Sequence, residues 1–121
     1  MSKRLVLIED EPNIIEAITF ILAREGWAVT TCANGEAAVA AVRKAEPDAV
    51  LLDVMLPGQS GFEILRELRA DTAFAGLPVL MLTARGQKKD RDLAASLGVT
   101  RFMTKPFANA ELVAALNDIT S

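Results

Sequence analysis

The stretch Ala49-Val50-Leu51-Leu52-Asp53-Val54-Met55-Leu56-Pro57-Gly58-Gln59-Ser60-Gly61 (AVLLDVMLPGQSG) decides how the chain is read. An apolar run leads into an aspartate, and a second apolar run ends at a Pro-Gly turn. A short continuous apolar run bounded by turn residues fits a strand buried on both faces. Its last residue is a carboxylate, and burying one without a partner is costly, because water solvates it far better than a core does. The strand therefore ends at a sheet edge where other groups must answer the charge of Asp53.

Working outward, the chain alternates between two kinds of segment. Residues 4–8 (RLVLI) are apolar and stop at Glu9-Asp10-Glu11, after which Pro12 suits the first turn of a helix. Ile14, Ile18, Ile21 and Leu22 recur at helical spacing, and Gly26 closes that helix. Residues 27–32 (WAVTTC) read as a second strand, and Asn34-Gly35 opens a second helix that runs to Glu46-Pro47 with Ala38, Val39 and Val42 inward. After strand three at 49–53, a helix over about 60–70 carries Phe62, Leu65 and Leu68 in register. Residues 78–82 (PVLML) form strand four, 87–97 a fourth helix closed by Gly98, and 100–103 a short fifth strand. Lys105-Pro106 leads to a last helix with Leu112, Val113, Leu116 and Ile119.

Five strands alternating with five helices predict an α/β fold, a doubly wound (βα)5 three-layer sandwich with a five-stranded parallel sheet. No linker, repeat or low-complexity segment divides it, so residues 1–121 read as a single domain. Its 121 residues can bury a real core, and 51% hydrophobic with 24% charged residues is neither a disordered nor a fibrous composition. A net charge of -3 argues against unaided nucleic-acid binding, which needs a basic face. One cysteine, Cys32, excludes an internal disulfide and fits a reducing compartment. The absence of histidine excludes His-based acid–base chemistry and His metal ligands. The first apolar run is too short for a signal peptide, and no segment reaches membrane-span length, so a soluble cytoplasmic domain with no membrane contact is expected.

In open parallel sheets the site lies beyond the carboxyl ends of the strands. Those ends carry Glu9-Asp10, Asp53, Thr83 and Thr104-Lys105. Carboxylates at about 4 Å repel by roughly 1–4 kcal/mol per pair near a surface. A hard divalent cation, magnesium above all, would relieve that repulsion with all-oxygen ligands. Lys105 adds a compact positive charge that can hold a carboxylate and later a phosphoryl oxygen. A carboxylate can attack phosphorus to form an acyl phosphate, while a metal and a lysine offset charge on the phosphoryl oxygens.

On these residues the chain resembles the receiver (CheY-like) domain of bacterial two-component response regulators. The motifs that carry the resemblance are LIEDE, LLDVMLPGQSG, LTA at Thr83-Ala84 and KPF at Lys105-Pro106. Singly they are weak; in order and at strand ends they are specific. The resemblance implies a flavodoxin-like sheet in the order 2-1-3-4-5, with Asp53 as phosphoacceptor. It implies magnesium held by Asp10, Asp53 and the Met55 backbone carbonyl, with Glu9 acting through water. It implies that Thr83 and Lys105 contact the phosphoryl group, that Phe102 is the switch aromatic, and that Lys105-Pro106 is cis. The implied partners are a sensor histidine kinase or histidine phosphotransfer protein, and a protein target at the face of helix four, strand five and helix five. That makes it a signalling phosphoacceptor rather than a metabolic enzyme. No nucleic acid is contacted directly.

Three departures shape these expectations. Glu9 stands where Asp is commoner, and Phe102 where Tyr is frequent, so the aromatic can switch by burial but offers no hydroxyl. Thr100-Arg101 replaces the acidic pair that DNA-binding relatives use in a dimer face, so a monomer or weak dimer is expected. Met55 and Arg85, flanking the acceptor, cannot easily orient an attacking water, so a phosphoryl lifetime of minutes or longer is expected.

Other readings fit less well. A phosphatase of the haloacid dehalogenase type needs a second carboxylate two residues past the nucleophile, where Met55 stands. A flavodoxin-like electron carrier needs a Ser/Thr/Gly-rich phosphate loop after strand one, where Glu9-Asp10-Glu11 would repel a phosphate. A degenerate receiver serving only as a phosphorylation-independent interaction module is the alternative, opposed by the intact Asp53, Thr83 and Lys105. The plainer expectations are Glu11 complementing a helix dipole, Cys32 as a small apolar strand residue, Trp27 half-buried, and 87–92 as a solvated helix face where the family binds targets.

Overall fold

A computed structural model describes residues 3–84 and 86–121. Among these residues five strands, β1 (Arg4–Ile8), β2 (Ala28–Cys32), β3 (Ala49–Asp53), β4 (Val79–Thr83) and β5 (Arg101–Thr104), form one sheet. All neighbours are parallel, in the order β2-β1-β3-β4-β5 that the family resemblance implies. The helices are α1 (Pro12–Arg24), α2 (Ala38–Ala45), α3 (Gly61–Ala70), α4 (Lys88–Ser96) and α5 (Asn109–Ile119). No helix among the described residues is long and apolar enough to cross a membrane.

The strand pleat sends alternate side chains to opposite faces, and both faces are covered. Val6, Ile8, Val50, Leu52, Val79 and Met81 pack with Val42 of α2 and with Ile64, Leu65 and Leu68 of α3. Leu5, Leu7, Leu51, Leu80 and Leu82 pack on the other side with Ile18 and Leu22 of α1 and with Leu112 and Leu116 of α5. This two-sided burial is why β1, β3 and β4 read as unbroken apolar runs. The edge strands do not follow that pattern. β2 is exposed or half-buried along its length, because only β1 borders it and its threonines meet water.

The chain passes from β1 out to β2 and returns on the other side as β3, so the strand order reverses between β1 and β3. Ile8 lies opposite both Cys32 and Leu52, Asp53 opposite Leu82, and Thr83 opposite Thr104. The residues that follow or complete these positions therefore emerge level at one edge, beside the switch point.

Several local expectations shift. The second helix does not open as an α-helix at Asn34-Gly35; Gly35–Ala37 is a 3-10 turn, and α2 begins at Ala38. The side chain of Asn34 accepts the Glu36 N–H at 2.7 Å, and the Gly35 N–H is drawn off to the Pro57 carbonyl at 3.0 Å. β4 and β5 each start one residue later than expected, which brings Thr83 and Thr104 into the ladder. Trp27 is buried rather than half-buried, packing with the α1 and α5 core while the Lys3 ammonium sits 5.6 Å from its ring centre. A second 3-10 turn, Thr72–Phe74, was not foreseen; Asp71 caps it by accepting the Ala73 N–H at 2.9 Å. Arg69 ties this region together, donating from Nε to the Gly98 carbonyl and from a terminal nitrogen to the Phe74 carbonyl, both at 2.8 Å.

Candidate functional site

β1 and β3 deliver the acidic residues. Glu9 follows β1 and continues its ladder, donating its N–H to the Cys32 carbonyl at 3.0 Å. Its side chain is buried, and Oε2 accepts the N–H groups of Asp10 and Glu11 at 3.1 and 3.3 Å. Asp10 is exposed at the rim. Glu11 plays the helical role expected of it, capping α1 by accepting the Asn13 N–H at 3.0 Å. Asp53 ends β3 and is only 6% exposed. One carboxylate oxygen from each of Glu9, Asp10 and Asp53 lies within 4.8 Å of the others.

β4 and β5 deliver the rest. Thr83 is the last residue of β4 and is buried. Its carbonyl accepts the Lys105 N–H at 2.7 Å, which anchors Lys105 just past β5, and the Lys105-Pro106 bond is cis, as expected. The Lys105 ammonium lies 2.8 Å from a Glu9 oxygen and 3.5 Å from an Asp53 oxygen. The lysine thus reaches both carboxylates and is closer to Glu9.

One ammonium does not balance this cluster. The carboxyl of Asp53 is pushed up from its ordinary 3.8 to about 6. Burial is the main cause, followed by a hydrogen bond with the Glu9 side chain and by the Glu9 charge; Lys105 and the Met55 backbone amide pull the other way without offsetting them. The donors are all oxygen and closely grouped, and among the described residues three carboxylates face the single Lys105 ammonium. That set fits a hard divalent ion such as magnesium. Met55 turns its side chain outward, 64% exposed, while its backbone faces Asp53.

Phe102 in β5 is half-buried against the core beneath α2, α3 and α4. The Arg91 guanidinium of α4 sits 5.1 Å from its ring centre and donates to the Gly86 carbonyl at 3.4 Å. A groove of about 530 Å³ beside it is lined by Phe102, Met103, Glu111, Ala114 and Asp118. Arg101 and Asp118 pair across β5 and α5 at 3.2 Å. The expectation for Arg85 falls outside the described residues.

The sequence reading missed one surface. Between α1 and the β5–α5 connection, Ile14, Ala17, Ile21, Pro106 and Phe107 line an apolar groove of about 520 Å³ that reaches Lys105. Its signal was the apolar Ile14, Ala17 and Ile21 of α1, which continue beyond the buried Ile18 and Leu22.

The model of the response regulator receiver domain matches residues 5–117. The chain is 40% identical to the DNA-binding response regulator MtrA of Mycolicibacterium smegmatis over 114 residues, 94% of this chain and 49% of that protein. It spans about half the length of the curated relatives it matches. The receiver domain of sensor histidine kinase PA1611 from Pseudomonas aeruginosa, solved with a magnesium ion in the active site cleft, superposes with a TM-score of 0.91 at 33% identity, covering 100% of each chain. Chemotaxis protein CheY4 of Vibrio cholerae superposes with a TM-score of 0.92 at 27% identity, covering 98% of this chain and 99% of that one. With five parallel strands in the receiver order, an acidic pocket at their carboxyl edge and the family match along nearly its whole length, this chain belongs to the response regulator receiver domains of two-component signalling.

Proposed function

We propose that the chain is a phosphorylation-dependent switch in which Asp53 takes a phosphoryl group from a histidine kinase or a histidine phosphotransfer protein. One observation carries the reading: Asp53, Glu9 and Asp10 meet at one edge with the Lys105 ammonium 3.5 Å from the Asp53 carboxylate. A carboxylate oxygen of Asp53 forms the new bond to phosphorus as the donor's N–P bond breaks, leaving an acyl phosphate. Lys105 loosens from Asp53 to meet a phosphoryl oxygen while keeping Glu9, its nearer partner. Asp10, Asp53 and the Met55 carbonyl are the residues that would hold magnesium, with Glu9 acting through water. An ion held there would supply positive charge to offset that of the phosphoryl oxygens.

The response runs through β4 and β5. Thr83 contacts the new phosphoryl group, the connection to α4 is drawn in, and Phe102 leaves its place under Arg91 for a more buried one. The face of α4, β5 and α5 then differs for a protein partner or a joined domain. Direct contact with nucleic acid is not part of this role, given the net charge of -3. The outward side chain of Met55 leaves hydrolysis unassisted, so the phosphoryl group persists for minutes or longer.

The test is intact mass after incubation with a small phosphodonor and magnesium, for the wild type and Asp53→Asn. The proposal expects one phosphoryl addition in the wild type only, still present minutes after the donor is removed. No addition, or equal addition to both, leaves the phosphorylation-independent interaction module as the surviving function.

A further inference from the structure

The connection between β3 and α3, residues 54–60, carries Met55 and is fixed at two places by backbone alone. At its base the Gly61 N–H donates to the Val54 carbonyl at 2.9 Å. A Cβ on Gly61 would run into the Asp53 carbonyl oxygen and stand 2.9 Å from Val54 Cα, so the start of α3 lies directly on the acceptor's own backbone. At its far side the loop meets the turn after β2. The Gly35 N–H donates to the Pro57 carbonyl at 3.0 Å, and a Cβ on Gly35 would collide with the Gln59 carbonyl oxygen and lie 2.8 Å from Gln59 N. Gly58, at φ +86, faces back: a Cβ there would stand 2.9 Å from Asn34 Oδ1 and 3.0 Å from Glu36 Cγ.

The two connections therefore interlock through a seam that leaves no space for a side chain at Gly35. The turn itself is held. Asn34 Oδ1 accepts the Glu36 N–H at 2.7 Å, and the Asn34 carbonyl accepts from Cys32 Sγ at 3.2 Å. Cys32 in turn belongs to β2 and its carbonyl binds the Glu9 N–H at 3.0 Å, so the turn shares a frame with the acidic pocket.

We infer that the Asn34-Gly35 turn is a positioning element for the acceptor loop: by holding Pro57 and Gln59 it fixes the conformation in which Met55 addresses Asp53 and the ion. This rests on the metal assignment made above. The loop begins at Asp53 and its far end is packed on the Asp53 backbone at Gly61, so a shift in the loop alters the acceptor before any ion enters. Coupling of this kind is reciprocal: if the pin favours the ion-binding conformation, the ion must tighten the pin.

Amide hydrogen exchange on the wild-type protein, with and without magnesium, reads that reciprocity directly. Magnesium is expected to slow exchange at Gly35, while the Ala73 amide, held by Asp71 in the turn after α3, is unchanged. Calorimetry on Gly35→Ala is expected to show magnesium affinity weakened about 10-fold or more, as for residues that orient metal ligands. Leu116→Ala, a buried substitution in α5 on the opposite face of the sheet from the loop, is expected to lower thermal stability yet keep the wild-type affinity. Magnesium binding with no change at the Gly35 amide, or wild-type affinity in a folded Gly35→Ala, overturns the inference while the proposed function stands. If Gly35→Ala does not fold, the exchange experiment decides alone. A flat calorimetric trace for the wild type defeats the metal assignment, and the inference with it.

Discussion

β3 and β5 end at the same edge of one sheet, yet they are held very differently. All five residues of β3 are buried, with β1 on one side and β4 on the other. β5 borders only β4, and its four residues are exposed or half-buried. The Asp53 carboxylate at the end of β3 lies 3.5 Å from the Lys105 ammonium and beside the Glu9 and Asp10 carboxylates. Phe102 in β5 has the core on one side, and on the other the Arg91 guanidinium and an open groove toward α5. The difference matches the division of labour proposed here. A group that must meet phosphorus in one geometry sits where packing leaves no alternative, whereas a group that reports the event needs a second position of similar energy.

The sharpest way to break the comparison is to damage both strands. Leu51→Ala empties a fully buried position in β3 and is expected to destabilise the fold by about 3–4 kcal/mol. Phe102→Leu keeps an apolar group of moderate size at a half-buried position and is expected to cost under about 1.5 kcal/mol. Urea midpoints measure both, and equal losses would mean that β5 is held as firmly as β3.

Lys105→Met comes next. Removing the ammonium leaves the Glu9 and Asp53 carboxylates buried without their cation, at a loss of about 3 kcal/mol at pH 7. A variant as stable as the wild type would show that the pair is not a structural tie.

Asp53→Asn should act in the opposite direction. Between pH 4 and 6 the unfolded chain releases the Asp53 proton while the folded one, with its carboxyl raised to about 6, retains it. Stability of the wild type therefore falls as pH rises through that window, and the deficit persists above it. Without divalent ions, Asp53→Asn is expected to exceed the wild type by roughly 2–3 kcal/mol at pH 7, at about 1.4 kcal/mol per unit, and by almost nothing near pH 3.5. Thermal melts across the range check this, and a constant difference would remove burial as the cause.

Most of the fold was legible because two-sided burial leaves a plain trace: apolar runs at β1, β3 and β4, separated by helices with residues such as Ile18 and Leu22 at helical spacing. The acidic residues were legible for a related reason, since carboxylates that end buried strands stand out against their neighbours. The edge strands were less so. The β-branched residues of WAVTTC signal a strand but do not say that one long side of it meets water. Trp27 was misplaced because its burial depends on α1 and α5, which are remote in sequence. The preference of Lys105 for Glu9 over Asp53 is a difference between 2.8 and 3.5 Å among groups from three separate strands, which no local sequence pattern encodes. The Gly35 seam was hidden for the same reason: a glycine after asparagine reads as an ordinary turn until the opposing loop is in place.

The most direct test of the switch is the amide and ring spectrum by nuclear magnetic resonance, with beryllofluoride and magnesium standing in for the phosphoryl group and its ion. The account predicts that signals of Phe102, and of α4 and α5 around it, move to new positions in the wild type, while Val29 and Thr30 in β2 and every signal in Asp53→Asn stay where they are. Changes confined to the surroundings of Glu9, Asp10 and Asp53, with Phe102 unmoved, would contradict it.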